Sequence, residues 1–182
     1  FCYDGYESRV LRDEVEMFRD LGADGVVIGI LKPDGTLDME QMEELVQAAG
    51  GIGVTMHRAF DVCRDPIEAL EQCVSLGIDT ILTSGQKSSA WEGRELLRQL
   101  ADRAGGRLDI LAGAGIGPGV IGKLAEYTGV RSFHMSGKKV VDSRMGFRRE
   151  GVPMGIPGFS EFEIWQTDAE KVREAKNNMK KV

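Results

Sequence analysis

Leu108-Asp109-Ile110-Leu111-Ala112-Gly113-Ala114-Gly115-Ile116-Gly117-Pro118 carries the fold decision. The first five residues form a short apolar run of strand character. Gly113, Gly115 and Gly117 then let the chain turn tightly, and Pro118 stands where a helix takes its first residue. The helix that follows shows its apolar stripe at Val120, Ile121, Leu124 and Ala125. The same unit recurs outward in both directions. Strand-like runs stand at Val26-Val27-Ile28-Gly29-Ile30, Ile52-Gly53-Val54-Thr55-Met56, Thr80-Ile81-Leu82-Thr83 and Val130-Arg131-Ser132-Phe133-His134. Counting Leu108, their starts lie 26, 28, 28 and 22 residues apart. Between them, Met39, Met42, Leu45 and Val46, then Ile67, Leu70, Cys73 and Val74, then Leu96, Leu97 and Leu100 fall at helical spacing. Gly22, Gly50-Gly51, Gly77 and Gly105-Gly106 stop helices where a left-handed cap is needed, and Asp65-Pro66 starts one. Alternating β and α units predict parallel strands joined by right-handed crossovers.

Two architectures fit: an open five-stranded sheet or a sector of a (β/α)8 TIM barrel. A barrel has eight strands and about 250 residues. This chain shows five strands, a helix from Ser8 to Leu21 ahead of the first, and a final helix from about Asp168 to Lys181 in 182 residues. The favoured reading is α/β, a single domain over 1–182 that forms the C-terminal five-eighths of a barrel. The segment 140–166, with Gly146, Gly151, Pro153, Gly155, Pro157 and Gly158, reads as a long loop that either covers a substrate or contacts another subunit, or is a passive surface loop. It therefore allows a homo-oligomer. A five-strand sector would have two open edges and a half-covered inner face, for which Val26, Ile28, Val54, Met56, Ile81, Ile110 and Phe133 are the candidates. Such a piece should be marginally stable by itself.

Composition narrows the function classes. The chain carries 23 basic and 29 acidic residues for a net charge of −6. Its small basic cluster, Lys138, Lys139, Arg144, Arg148 and Arg149, is interrupted by Asp142. Nucleic acid is excluded as a partner, since it needs a concentrated basic face. No apolar run reaches the roughly 18 residues of a membrane span, so no membrane partner is expected. Cys2, Cys63 and Cys73 form no CxxC pair and leave an odd thiol, which predicts a reducing, cytoplasmic setting. Cys73 falls on an apolar helical stripe and reads as core; Cys63 is either a thiol ligand or inert.

In α/β folds of either kind, chemistry gathers beyond the carboxyl ends of the strands. Both histidines of the chain lie there. His57, Arg58 and Asp61 offer an acid–base, a cation and a carboxylate within five residues, and His134 ends the last strand. These four are the candidate catalytic residues. The alternative is that Arg58 and Asp61 form a strand-end ion pair. Gly113, Gly115 and Gly117, opening a helix, are candidate anion-binding residues together with Ser136, Gly137 and Lys138 after the next strand. These features point to a small anionic ligand, phosphorylated or carboxylated. No metal ligand set is visible.

A resemblance adds to this reading. Phe1-Cys2-Tyr3, Leu21 to Gly29, Pro33-Asp34-Gly35, His57-Arg58-Ala59-Phe60-Asp61, Leu82-Thr83-Ser84-Gly85, the turn at 112–116 and Phe133-His134-Met135-Ser136 resemble the CutC family, whose members are often labelled copper homeostasis proteins. The resemblance runs in order over nearly the whole chain. It implies a TIM barrel, copper as the associated metal, and an N-terminal portion with three strands that this sequence does not contain. The family usually has three successive glycines where this chain has Gly113-Ala114-Gly115. The cysteines usually invoked for copper would lie in the N-terminal portion, so Cys2, Cys63 and Cys73 do not inherit that role. Two function classes stay open: copper handling, as the resemblance implies, and an enzyme on a small anionic metabolite with His57 as acid–base. Whether the chain is an enzyme is undecided by sequence.

Overall fold

A computed structural model describes residues 1–152, 154–155 and 160–180. Asp4 caps α1 (Gly5–Asp20) by accepting the Tyr6 and Glu7 N–H groups, and the Glu7 side chain closes the capping box. Four strand–helix units follow: β1 (Gly25–Ile28) and α2 (Met39–Ala49), β2 (Gly53–Met56) and α3 (Pro66–Ser75), β3 (Thr80–Thr83) and α4 (Arg94–Ala104), β4 (Asp109–Ala112) and α5 (Pro118–Thr128). A short 3-10 turn, Arg58–Val62, separates β2 from α3. The two-residue β5 (Ser132–Phe133) completes the sheet, shorter than its sequence run suggests. Gly50, Gly105 and Gly129 end their helices in the left-handed conformation, and Asp65 caps α3 ahead of Pro66.

The five strands are parallel and stand in the order β1-β2-β3-β4-β5. This order removes the doubly wound alternative. A doubly wound sheet reverses direction at a switch point, whereas here every right-handed crossover steps the same way and sends its helix to the same face. The result is the wall of a barrel, with β1 paired on one side only among the described residues.

Burial confirms one covered face. Ile28, Val54, Met56, Ile81 and Ile110 are buried with Met42, Leu45, Leu70, Cys73, Leu97, Leu100 and Leu124 of the helices. Val26 and Phe133 pack against this core as well. This corrects the sequence expectation, which put those strand residues on the half-covered inner surface. The alternation runs in the opposite phase: the inner face carries Val27, which is 61% exposed, and the half-buried Thr55, Leu82 and Leu111. The amphipathic helices bury the strand face that carries Ile28, Val54, Met56, Ile81 and Ile110, and Val27, Thr55, Leu82 and Leu111 are left on the inner one.

The long loop expected at 140–166 is also corrected. Its ends form an antiparallel ribbon, β6 (Lys138–Asp142) with β7 (Glu163–Thr167), in which Val140 faces Trp165 and Val141 faces Ile164. Pro153, Pro157 and Gly158 lie outside the described residues. The last helix, α6 (Ala169–Met179), packs along α5, where Asn178 donates to the Pro118 carbonyl at 2.9 Å. Among the described residues, no helix is long and apolar enough to cross a membrane.

Candidate functional site at the carboxyl end of the sheet

His57 leaves the end of β2. Its N–H donates to the Ile28 carbonyl at 2.8 Å, extending the β1–β2 ladder by one residue. Its Nδ1 accepts the Ala59 N–H at 3.1 Å, which leaves the proton of the neutral ring on Nε2. The ring seats against Gly29, where any Cβ would come within 2.5 Å of Cε1 and Nδ1. On its other side the Phe1 ring lies 4.7 Å away, centroid to centroid. Burial holds the imidazole below its ordinary pKa of 6.5, so His57 is neutral at pH 7. A cavity of about 320 Å³ reaches this ring along β1 and α1, lined by Tyr3, Leu11, Phe18, Val27 and Gly29 among others.

Arg58 and Asp61 form the strand-end ion pair, Nε to Oδ2 at 2.6 Å, and Arg58 also donates to Ser84 Oγ at 3.1 Å. The Asp61 side chain is only 6% exposed. It accepts the Thr83 hydroxyl at 2.5 Å, the Ser84 N–H at 2.9 Å, the Ser84 hydroxyl at 3.0 Å and the Gln86 N–H at 3.2 Å. Burial pushes the carboxyl up, but the hydrogen bonds from Thr83, Arg58, Ser84 and Gln86 outweigh it and hold the pKa below 3.8. Both carboxylate oxygens are saturated with donors, so Asp61 organises the loop after β3. Thr83, Ser84 and Gln86 stand outside the residues that the sequence marks as candidates. Their signals there are position, at and just past a strand end, and for Thr83 and Ser84 the stretch Leu82-Thr83-Ser84-Gly85 that carries part of the resemblance.

The loop after β3 and the turn after β4 lock together. Ala90 donates to the Ala114 carbonyl at 3.0 Å, and a Cβ on Gly115 would meet Ser89 Cβ at 3.2 Å. Gln86 and Ala114 both adopt left-handed backbone, φ 57° and 70°, which is uncommon outside glycine. Gly117 opens α5 with no side-chain cap, and Pro118 follows. The other half of the expected anion site is engaged elsewhere. Gly137 is buried, its carbonyl accepts the Asp168 N–H at 2.8 Å, and its Cα faces Val172 of α6. The Lys138 ammonium lies 3.2 Å from the centroid of the Trp165 ring. Ser136 is exposed.

His134 donates its N–H to the Ala112 carbonyl at 2.8 Å and is exposed on the inner face, near Gly113. Three strand spacings of about 4.8 Å separate β2 from β5. The two histidines thus stand roughly 14 Å apart along the sheet, too far to act on one proton. They flank the strand ends and do not share the cavity beside His57.

The donor set does not fit a resident copper ion. Among the described residues, no group of three or more His, Cys, Asp or Glu side chains could hold a metal. Burial pushes the Cys63 thiol up to about 11 and the Cys73 thiol up to about 12, whereas the thiolate is the ligand. Cys2 is exposed.

Residues 1–139 match the family model described as the CutC family. This chain belongs to the CutC family. A family protein CutC of Parabacteroides distasonis is 47% identical over 174 residues, covering 95% of this chain and 72% of that relative. One from Pasteurella multocida is 41% identical over 181 residues, covering 100% and 74%. Among solved structures, the "Putative Copper Homeostasis Protein CutC" of Streptococcus agalactiae superposes with a TM-score of 0.70 at 28% identity, over 73% of this chain. This chain spans 65% of the length of that protein. The five-stranded wall is therefore a CutC fold, and His57, Arg58, Asp61 and His134 are strand-end residues of a CutC member.

Proposed function

We propose that this CutC chain serves copper homeostasis in the cytoplasm, as the name of the Streptococcus agalactiae relative says of that protein, and that its working site binds a small anion beside a neutral histidine. The observation that carries the reading is His57: half-buried, neutral, its tautomer set by the Ala59 N–H, and bordering a cavity. A neutral imidazole with a defined Nε2 proton is equipped to exchange that proton with a ligand. The phosphate or carboxylate class is supported by the uncapped start of α5 behind Gly113, Gly115 and Gly117. Strained backbone at Gln86 and Ala114 between two strand ends also supports a working site there. The free thiols support a reducing compartment. Copper is cargo or signal in this reading, not an ion held by the described residues.

The test uses the full-length protein. NMR titration of inorganic phosphate, at roughly millimolar concentration, should shift the Gly115 and Gly117 amides and raise the His57 pKa from its depressed value. In cells lacking the protein, the His57→Gln variant should fail to restore copper tolerance and Cys63→Ser should restore it. Silent glycine amides, or full rescue by His57→Gln, would overturn the proposal.

A further inference from the structure

Arg58 and Asp61 share a contact but not an environment. The Asp61 side chain is 6% exposed and the Arg58 side chain 46%. Without the arginine, Asp61 would keep the Thr83 hydroxyl, the Ser84 hydroxyl, and the Ser84 and Gln86 N–H groups as donors. A guanidinium half open to water adds little stability to such a carboxylate. The pair therefore does more for the arginine than for the aspartate, because it holds a long, rotamer-rich side chain in one place.

The way Arg58 is held decides which part of it is free. Of the five N–H groups of a guanidinium, Nε–H donates to Asp61 Oδ2 at 2.6 Å and one on Nη2 donates to Ser84 Oγ at 3.1 Å. Both contacts use the Nε–Nη2 edge. The remaining N–H groups meet no acceptor among the described residues, so the end-on Nη1–Nη2 edge stays open. That edge presents two parallel N–H groups, the fork that takes two oxygens of a carboxylate or phosphate. Lys87, exposed on the loop that Ser84 opens, has no ion pair among the described residues and adds a second cation there. Ser89 and Ala90 fasten the same loop to Gly115 and Ala114, ahead of the uncapped start of α5.

We infer that Arg58 is the anion-recognising residue of this site, that it grips two oxygens of a carboxylate or phosphate group end-on, and that Asp61 is the positioning residue that aims it. The inference rests on the anion-site reading and supplies the charged group that the glycine turn lacks. It also divides the work between two neighbours in sequence: Arg58 binds, and His57 exchanges the proton.

NMR titrations of the full-length protein with inorganic phosphate and, separately, with acetate test it. They are followed at the Arg58 Nε–H signal and at the Gly115 and Gly117 amides. At least one probe should shift the Arg58 signal, and the probe that does so names the ligand class. Arg58→Lys keeps the charge and loses the fork. It and Arg58→Gln should each weaken that binding roughly tenfold or more, the fold-change of one charge-assisted hydrogen bond. Asp61→Asn removes a negative charge, so charge alone would tighten anion binding; loss of aim should instead weaken it roughly threefold or more. In an Arg58→Gln background, Asp61→Asn should weaken nothing further, because Asp61 acts through Arg58. Thermal unfolding checks that each variant folds, and the two substitutions of the half-exposed Arg58 decide the matter even if Asp61→Asn does not. Three results would each overturn the inference and leave the anion site standing: glycine amides that move while Arg58 stays silent, Arg58→Lys binding like the wild type, or an effect of Asp61→Asn that persists in the Arg58→Gln background. Silence at Arg58 and at both glycines would overturn the two readings together.

Discussion

Asp61 shows how much one side chain can organise. It collects the Arg58 guanidinium, two hydroxyls and two backbone N–H groups from two separate stretches of the chain, and in doing so fixes the path from β3 toward α4. Asp61→Asn should cost about 3 kcal/mol at pH 7, because donors lose an ionised acceptor in a buried place. The pH dependence follows from the lowered pKa. The unfolded chain binds the Asp61 proton more readily than the folded one, so this stabilisation is complete above 3.8 and disappears as pH falls through the lower folded value. Urea titrations between pH 2 and 7 should show the wild type losing an acid-sensitive component that the Asn variant lacks. Ala114 presents the opposite situation. A left-handed alanine costs roughly 1–2 kcal/mol, and glycine's greater freedom when unfolded takes back about 0.5–1 kcal/mol. Ala114→Gly should therefore raise stability by about 0.5–1 kcal/mol, and a loss in urea unfolding would show that the backbone at φ 70° is unstrained.

Glycines within the elements divide by what surrounds them. A Cβ on Gly93, just before α4, would sit 1.9 Å from the Ser84 carbonyl oxygen and 2.8 Å from Gly85 Cα. The backbone itself would have to move, so Gly93→Ala should cost about 3 kcal/mol or more. Gly122 lies inside α5, and a methyl group added there would meet nothing within 4 Å. At that position the same substitution should stabilise by up to about 1 kcal/mol through helix propensity. Thermal unfolding of both variants checks the contrast, and equal signs would contradict the close approach of the loop after β3 to the start of α4.

Across the whole molecule, the decisive fact is which sheet face the helices cover. Ile81 is fully buried on the helix side, while Thr55 lies half-buried on the inner face. Ile81→Ala should cost about 2–5 kcal/mol, and Thr55→Ala less than about 1 kcal/mol. Reversed magnitudes in denaturant titration would return the strand residues to the inner surface, where the sequence pattern placed them. The same face assignment puts His57, Gly113 and His134 at the rim of the wall, and it leaves the ribbon outside it.

Local chemistry was legible because it depends on neighbours along the chain. The five strand runs, the helical stripes at Met42 and Leu45 or Leu97 and Leu100, the Asp65-Pro66 start and the glycine stops at Gly50 and Gly105 all appear where the spacing places them. The Arg58–Asp61 pair, three residues apart, is the alternative that the spacing offered beside a catalytic role. The even spacing of β and α units also pointed to a barrel sector, and the strand order bears that out. Three features needed the tertiary structure. The phase of strand burial depends on which face the helices land on, and short runs such as Val26 to Ile30 are apolar on both faces. The ribbon pairs Lys138–Asp142 with a strand some twenty residues later, a register no local period encodes. The separation of His57 from His134 depends on how many strands lie between them, a distance across the sheet that sequence order alone does not measure.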